Sequence, residues 1–345
     1  MESREASTGD GLTVAVTGPT GDIGRAFLRA LDGEPAVERV IGMARSPFDP
    51  AEAGLDKTEY RQGDILDADS IADLIAEADV VVHLAFIILG GREETRSINL
   101  EGSRNVFDAV AAAGVKRLVY TSSVAAYGFH DDNPQPLTEE TEPRGSEGFY
   151  YSAQKAELEG ALRDLLAGTD VESYVFRPCI VAGPDAQMLI ENVVEQYQVG
   201  GRLPIVQRAL EGMPFLAPVL PDPGVPFQLV HHDDVATALV AATCGRGEPG
   251  AYNLAGPGEM RMSDMASELG WWSVPVPKAA VGALAEATSH LPGMPAQISW
   301  LAAFTTPVLM DTEKARENLG WRPQHNSLET LNGMVVAARR EGLLG

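Results

Sequence analysis

Thr13-Val14-Ala15-Val16-Thr17-Gly18-Pro19-Thr20-Gly21-Asp22-Ile23-Gly24 decides how the rest of the chain is read. A β-branched run ends in glycines at 18, 21 and 24, and an amphipathic segment follows at once through Ile23, Phe27, Leu28 and Leu31. The order is strand, tight turn, helix. The first glycine lets the chain turn, the second admits a pyrophosphate against the backbone, and the third lets helix pack on strand. N–H groups at the helix N-terminus then face the phosphates, where the helix dipole favours negative charge. The spacing departs from G-x-G-x-x-G, because two residues also separate the first pair. On this stretch alone an ordinary Gly-rich βα turn reads the same way. The context carries the argument, since a buried-type strand precedes the loop and a helix opens from it.

Working outward, strands are expected near Leu12–Thr17, Val37–Ala44, Thr58–Gln62, Val80–Leu84, Arg117–Ser122 and Val171–Arg177. Helices fall between them, near Ile23–Leu31, Ala68–Glu77, Ser97–Ala113 and Tyr150–Ala167. Near-continuous apolar strands are buried on both faces, as in a parallel sheet covered by helices. Alternating βα units of this kind predict an α/β, Rossmann-type doubly wound parallel sheet. The pattern fades from Gly183 to about Phe227, where Pro204, Pro214, Pro218, Pro221, Pro223 and Pro226 break the chain, and again from Gly256 onward. The domains expected are therefore a disordered tail at 1–11, a dinucleotide-binding unit at 12–183 plus 227–255, and a smaller discontinuous region at 184–226 and 256–345.

Composition narrows the class. The 345 residues suffice for one large or two moderate domains, and 45% hydrophobic with 22% charged residues is a globular balance. A formal net charge of −23 argues against nucleic acid or an anionic membrane as partner. Any phosphate-bearing ligand must be held by local N–H groups and a few placed cations. Two isolated cysteines, Cys179 and Cys244, form neither a disulfide framework nor a zinc site and suit a reducing, cytoplasmic setting. The first eleven residues lack the basic and apolar segments of a signal peptide. The longest apolar run, Val80 to Leu89, is interrupted by His83 and too short to span a bilayer.

Ligands of doubly wound sheets bind beyond the carboxyl ends of the strands. After the second strand comes Met43-Ala44-Arg45-Ser46. Ala44 stands where Asp or Glu would bond a ribose 2′-OH, and Arg45 is suited to a 2′-phosphate, although a solvated surface arginine reads the same. Tyr151 and Lys155 lie one helical turn apart on one face.

With these residues in view, the chain resembles the extended short-chain dehydrogenase/reductase family, also called the NAD-dependent epimerase/dehydratase family, over nearly its whole length. The resemblance rests on T-G-x-x-G-x-x-G at Thr17–Gly24, G-D-I at Gly63–Ile65, H-L-A at His83–Ala85 and N-x-x-G at Asn99–Gly102. It continues in T-S-S-x-x-x-Y-G at Thr121–Gly128, Y-x-x-x-K at Tyr151–Lys155, R-P-x-x-V-x-G-P at Arg177–Pro184 and V-H-x-D-D-V at Val230–Val235, and ends with Lys314–Pro323. It implies a nicotinamide cofactor held by Gly18, Thr20, Gly21, Asp22, Ile23, Gly24, Arg45, Asp64, Ile65, Leu84, Ala85, Phe86, Thr121 and Ser122. Tyr151, Lys155, Pro178, Cys179, Ile180 and Val181 complete that set. NADP(H) is favoured over NAD(H) because of Ala44 and Arg45.

The chemistry expected follows from the side chains. A phenol titrates near pH 10, and a nearby lysine with an oxidised nicotinamide favours phenolate and lowers that value. Tyr151 would pass a proton to or from a substrate oxygen, and Lys155, as the resemblance implies, would also bond the nicotinamide ribose. Ser123 would donate to the same oxygen as charge develops on it. Asn99 would either hold a water-linked relay or bond backbone near the fourth strand. His231-His232-Asp233-Asp234 looks like a ligand set, but adjacent residues at a strand end point apart, so no metal is assigned. Cys179 is read as a small buried filler, and Trp271 and Trp272 as core or pocket.

The region that in the family caps the substrate offers Met188, Leu189, Met213, Phe215, Leu216, Met260 and Met262, with few cations beyond Arg202, Arg208 and Arg261. Arg177-Pro178 resembles the family's reductase branch. The leading reading is hydride transfer between nicotinamide and a carbonyl or alcohol of a small, largely apolar molecule. The alternatives are a nucleotide-sugar epimerase/dehydratase with internally recycled NAD, and a non-catalytic cofactor-binding sensor. A homodimer is expected through the helices at Ser97–Ala113 and Tyr150–Ala167. The first of these would turn Ile98, Gly102, Val106, Ala109 and Ala113 to the sheet and Leu100, Phe107 and Ala111 outward.

Overall fold

Seven parallel strands form the central sheet of the computed structural model, which describes residues 11–88, 95–186, 218–281 and 305–344. In chain order these are β1 (Leu12–Thr17), β2 (Val37–Ala44), β3 (Thr58–Gln62), β4 (Val80–His83), β5 (Arg117–Thr121), β6 (Glu172–Pro178) and β10 (Gly250–Leu254), and their spatial order is β3-β2-β1-β4-β5-β6-β10. The order reverses between β1 and β4, which pair from Val14↔Val80 to Thr17↔His83. That reversal opens a crevice beyond the carboxyl ends of both strands.

Alternation along the strands divides the interior in two. Val14, Val16, Val80, Val82 and Val119 face α1 (Asp22–Asp32) and α5 (His232–Thr243), burying Phe27, Leu28, Leu31 and Leu239. Ala15, Ile41, Val81, Leu118 and Tyr120 face α2 (Ala68–Ala76), α3 (Gly102–Ala113) and α4 (Tyr150–Leu166), burying Ile71, Leu74, Val106, Phe107, Val110, Leu158 and Leu162. Apolar residues on both faces require both faces to be covered, and successive helices cover them in turn.

The helix after β4 differs from expectation. It opens with a widened, π-helical turn at Ser97–Glu101 before becoming α-helical. Leu100 and Phe107, expected outward, are buried at 2% and 0% exposure, whereas Ala113 is exposed. The inner arc of α3 is broad enough to take both Val106 and Phe107, and Phe107 meets His83 and Tyr120 edge-on at 5.7 and 5.4 Å between centroids. The outward apolar stripe from which the homodimer was inferred does not exist.

Beyond the sheet, β7 (Ile180–Ala182) pairs with β9 (Leu229–His231), and β8 (Val219–Asp222) with β11 (Trp272–Pro275), both in parallel. Phe227, Met260, Met265 and Leu269, the last two on α6 (Met262–Leu269), pack against Leu331, Met334 and Val335 of α7 (Ser327–Arg340). Met260, expected near substrate, is thus a core residue bridged to Phe227, while Met262 is partly buried and Arg261 exposed. Trp271 is partly buried against this cluster and Trp272 is 65% exposed. Residues 1–10 of the expected tail and the other capping residues named above (Met188, Leu189, Arg202, Arg208, Met213, Phe215 and Leu216) lie outside the described residues. Among the described residues, no helix is long and apolar enough to cross a membrane.

Candidate active site

The glycine turn at the crevice divides labour by space. Gly18 has φ +75°, and a Cβ there would sit 2.7 Å from the Ala85 nitrogen, so the turn and the loop after β4 touch through backbone. At Gly24 a Cβ would lie 2.3 Å from the Gly18 carbonyl, which allows α1 to close onto the turn. At Gly21 it would meet only that carbonyl, at 3.7 Å. Gly21 N-caps α1 with no side-chain cap, whereas Asp67 caps α2 through the N–H groups of Asp69 and Ser70. The start of α1 is therefore bare backbone in open space, a fit for a pyrophosphate. Thr121 adds, in the same crevice wall, a buried hydroxyl with no hydrogen-bond partner among the described residues. Both observations fit a nicotinamide dinucleotide.

Around this turn, Thr20, Asp22 and Ile23 are partly buried at the start of α1. Arg45 is exposed at the end of β2, and its backbone is pinned: Gln62 Nε2 donates to the Arg45 carbonyl at 2.8 Å, and the Tyr60 hydroxyl contacts the carbonyls of Ala44 and Ser46. Asp64 accepts from the Leu66 N–H at 3.0 Å. Ile65 lies against Gly102, where a Cβ would come within 2.5 Å of its side chain, so the G-D-I and N-x-x-G motifs meet. Leu84, Ala85 and Phe86 line the loop after β4, each partly buried. His83, fully buried, bonds Thr17 Oγ1 at 2.7 Å and Ser103 Oγ at 2.9 Å, and burial pushes its pKa down to about 3. The imidazole is neutral and ties β1, β4 and α3 together.

Ser123, Tyr151 and Lys155 are brought together, all under 10% exposed. The Tyr151 phenol hydrogen-bonds Ser123, and Lys155 Nζ donates to the Thr121 carbonyl at 2.9 Å and lies 3.5 Å from the Tyr120 hydroxyl. The third direction around the ammonium is covered by Phe86, whose ring centroid is 3.6 Å away. In the chain alone the phenol is not softened. Burial pushes Tyr151 up to about 12 against the Ser123 hydrogen bond, and burial pushes Lys155 down to about 7 against the Glu159 charge. Desolvation of both charged forms outweighs their neighbours in the chain alone. The positive nicotinamide is what the phenolate argument still requires.

Asn99 is the backbone anchor of its two alternatives. Its amide accepts from the Ile87 N–H at 2.8 Å and donates to the Ile87 carbonyl and to Gln154 Oε1, both at 2.9 Å. It holds the loop after β4 to α4, and both of its amide protons are taken by the chain's own acceptors. The Ser122 hydroxyl, placed among the cofactor contacts above, instead donates to Glu159 at 2.5 Å. Arg177 is turned inward onto Glu159 at 2.6 Å, so it adds no cation to the site and does not separate reductase from sugar-nucleotide enzyme. Pro178 and Cys179 are buried, Ile180 and Val181 partly so, and burial pushes the Cys179 thiol up, as befits a filler.

The histidine cluster also departs from expectation, because the His231 and His232 rings converge to 4.3 Å and His325 stacks on His231 at 3.9 Å. With Asp233 the two could reach one ion. Their nitrogens already work as a cap: His231 Nδ1 accepts from the Asp233 N–H, while His232 bonds Asp233 through Nδ1 and the Asp185 N–H through Nε2. Sequence reading missed three groups. Phe129, Phe149, Tyr150 and Ile88 join Phe86, Ala125 and Tyr151 in an apolar cluster beside the phenol. Tyr120 and Glu159 flank the lysine, and the helical period from Tyr151 through Lys155 would have found Glu159.

Residues 14–255 match the model of the NAD dependent epimerase/dehydratase family. The uncharacterized protein y4nG of Sinorhizobium fredii is 25% identical over 334 residues, which cover 93% of this chain and 78% of the relative. Uncharacterized relatives in Mycobacterium tuberculosis and Mycobacterium bovis are longer, and the chain spans 30% of their length at 27% identity over 95% of its own. The Bordetella bronchiseptica enzyme WbmH, solved in complex with NAD+, has a TM-score of 0.70 at 19% identity, covering 96% of this chain and 99% of that one. Thermotoga maritima UDP-glucose 4-epimerase, solved with UDP-glucose, has a TM-score of 0.69 at 19% identity, with coverage of 96% and 99%. At these identities the likeness to solved structures is one of fold.

Proposed function

This chain belongs to the NAD dependent epimerase/dehydratase family, a family of enzymes, and from that premise we propose that it transfers a hydride between a nicotinamide and a carbonyl or alcohol of a small, largely apolar molecule. The observation that carries the reading is the wall beside the phenol: Phe86, Ile88, Ala125, Phe129, Phe149 and Tyr150 gather around Tyr151. A wall of this kind favours apolar groups next to the reacting oxygen.

The nicotinamide, when bound, takes up or gives the hydride. The turn at Gly18–Gly24 and the loops after β2, β4 and β5 would hold the dinucleotide, and Lys155 would bond its ribose. The chain's own chemistry is proton handling at one oxygen atom. Tyr151 Oη donates to a carbonyl oxygen, or accepts from a hydroxyl, and Ser123 Oγ donates to the same oxygen as charge collects on it. Burial of both hydroxyls excludes water from this exchange. NADP(H) is the proposed cofactor, from exposed Arg45 and from Ala44 in place of an acid; solved relatives of the same fold carry NAD.

A second reading, epimerase or dehydratase on a nucleotide-linked sugar with internally recycled NAD, is favoured by the family match and by the Thermotoga maritima fold relative. A panel of aryl and alkyl ketones, the matching alcohols, and UDP- and dTDP-sugars, followed at the nicotinamide absorbance and by chromatography of the sugars, decides between them. The proposal expects turnover of apolar ketones or alcohols that consumes added cofactor stoichiometrically. Sugar conversion without net cofactor change overturns it.

A further inference from the structure

Three successive residues at the end of β5 each hold one residue of the same face of α4. Ser123 bonds Tyr151, the Thr121 carbonyl accepts from Lys155, and the Ser122 hydroxyl donates to Glu159. Tyr151, Lys155 and Glu159 stand at i, i+4 and i+8, successive turns of one stripe. Glu159 is 7% exposed and is clamped from the far side by Arg177 of β6, whose Nε lies 3.0 and 3.2 Å and whose Nη2 lies 2.6 Å from the carboxylate. Arg177 Nη1 donates to the Tyr127 hydroxyl at 2.8 Å, and that hydroxyl to Asn253 Oδ1 of β10 at 2.7 Å. A carboxylate so fully bonded is fixed. It therefore holds the strand end in register with the helix, and it places a negative charge one turn from a buried ammonium.

We propose that Glu159 is a positioning residue of the active site, locking Ser122, and with it the Thr121 carbonyl and the Ser123 hydroxyl, to the helix face that bears Tyr151 and Lys155, and setting its carboxylate one helical turn from the Lys155 ammonium. The inference rests on the reading of Tyr151 and Lys155 as the proton-handling pair. Among the described residues, the titratable or charged groups around the ammonium are His83 of β4, Tyr120 of β5, and Tyr151 and Glu159 of α4, with Arg177 of β6 behind Glu159. His83 is held neutral by burial and Tyr120 is held protonated by burial, which leaves Glu159 as the anion.

The primary readout needs no substrate. The Lys155 side-chain resonance, assigned by its loss in Lys155→Met, is titrated by NMR in the cofactor-free protein. Glu159→Gln alone strands a buried guanidinium, so it is combined with Arg177→Met, which removes both charges together. The lysine of the double variant should titrate lower than in wild type, by less than the roughly 1–3 pH units that loss of a lone opposite charge would give, because the Arg177 charge leaves with that of Glu159. Ser122→Ala severs the strand tie and leaves the ion pair. It should lower kcat about tenfold, as expected of a displaced group, with cofactor KM and the lysine titration unchanged. A folded double variant with an unmoved lysine overturns the proposal, as does Ser122→Ala with full kcat; if the double variant does not fold, Ser122→Ala decides alone. Retention of turnover in Tyr151→Phe would instead remove the underlying reading, so the two failures are distinguishable.

Discussion

Gly21 and Gly24 sit three residues apart in one turn, yet a single methyl group should affect them in opposite ways. At Gly24 a Cβ would lie 2.3, 2.7 and 2.8 Å from the Gly18 carbonyl oxygen, the Pro19 carbonyl carbon and the Pro19 Cα. All three are backbone, none can swing aside, and α1 must lift from the turn. Overpacking of this kind costs about 1–3 kcal/mol or more, which for a chain of this size lowers Tm by several degrees. At Gly21 the backbone is at φ −75° and ψ 170°, open to any residue, and the nearest atom to a Cβ is 3.7 Å away. Alanine is a poorer N-cap than glycine, but it also restricts the unfolded chain. These two terms are each below about 1 kcal/mol and of opposite sign. Gly21→Ala should therefore melt with wild type while its methyl occupies the space over the α1 N-terminus. A cofactor affinity about 10- to 100-fold weaker follows if that obstruction costs about 1.4–2.8 kcal/mol. Thermal melts and calorimetric titration with NAD+ and NADP+ on both variants make the comparison. Wild-type affinity in Gly21→Ala, or wild-type Tm in Gly24→Ala, refutes the assignment of the turn.

For the cofactor, Arg45→Ala should cut NADP+ affinity about 5- to 100-fold, the worth of a charge-assisted pair, and leave NAD+ unchanged; equal affinities in wild type remove the preference. Phe107→Ala should lower the denaturation free energy by about 3–5 kcal/mol, as buried Phe truncations do, in an equilibrium urea titration, and a cost near zero would return Phe107 to the surface. Stability should also fall in acid through the histidines that burial holds neutral, His231 at about 4 and His83 at about 3. Below about pH 6.5 the unfolded chain binds a proton at each that the native chain does not. Stability is therefore full above that pH and is lost toward pH 4 and 3, at up to about 1.4 kcal/mol per pH unit for each group. His231→Asn, which can still cap α5, should flatten the loss between pH 6.5 and 4 relative to wild type, and identical slopes would contradict the account.

What could be read from the sequence was what is local. The turn at Gly18–Gly24 and the first strands were legible because a βα unit writes both periods into about twenty consecutive residues, and β1, β2 and β3 fall at the bounds expected. Tyr151 and Lys155 were legible as a pair for the same reason. Phe107 was misjudged because a helix wheel gives an arc but not its width, and the neighbours that set that width, His83 and Tyr120, come from other strands. The partner of Arg177 was not legible because an arginine in a motif says nothing of which way it turns, and Glu159 waits for it eighteen residues earlier. The pKa values were out of reach for a further reason. The ordering of Tyr151 above 10 and Lys155 near 7 comes from depth in the fold, and pairwise neighbours in the sequence carry no measure of depth.

The central claim is that the Tyr151 phenol moves the proton. Tyr151→Phe removes one oxygen and keeps the ring that packs at 5.5 Å on Phe86 and 5.8 Å on Phe149, so fold and cofactor site should be retained. The measurement is kcat of this variant on the substrate found by the panel, with calorimetric cofactor affinity on the same preparation. The account predicts a fall in kcat of about 10²–10⁴, the loss typical of a missing general acid–base group, with cofactor affinity unchanged. Full turnover by Tyr151→Phe would contradict it.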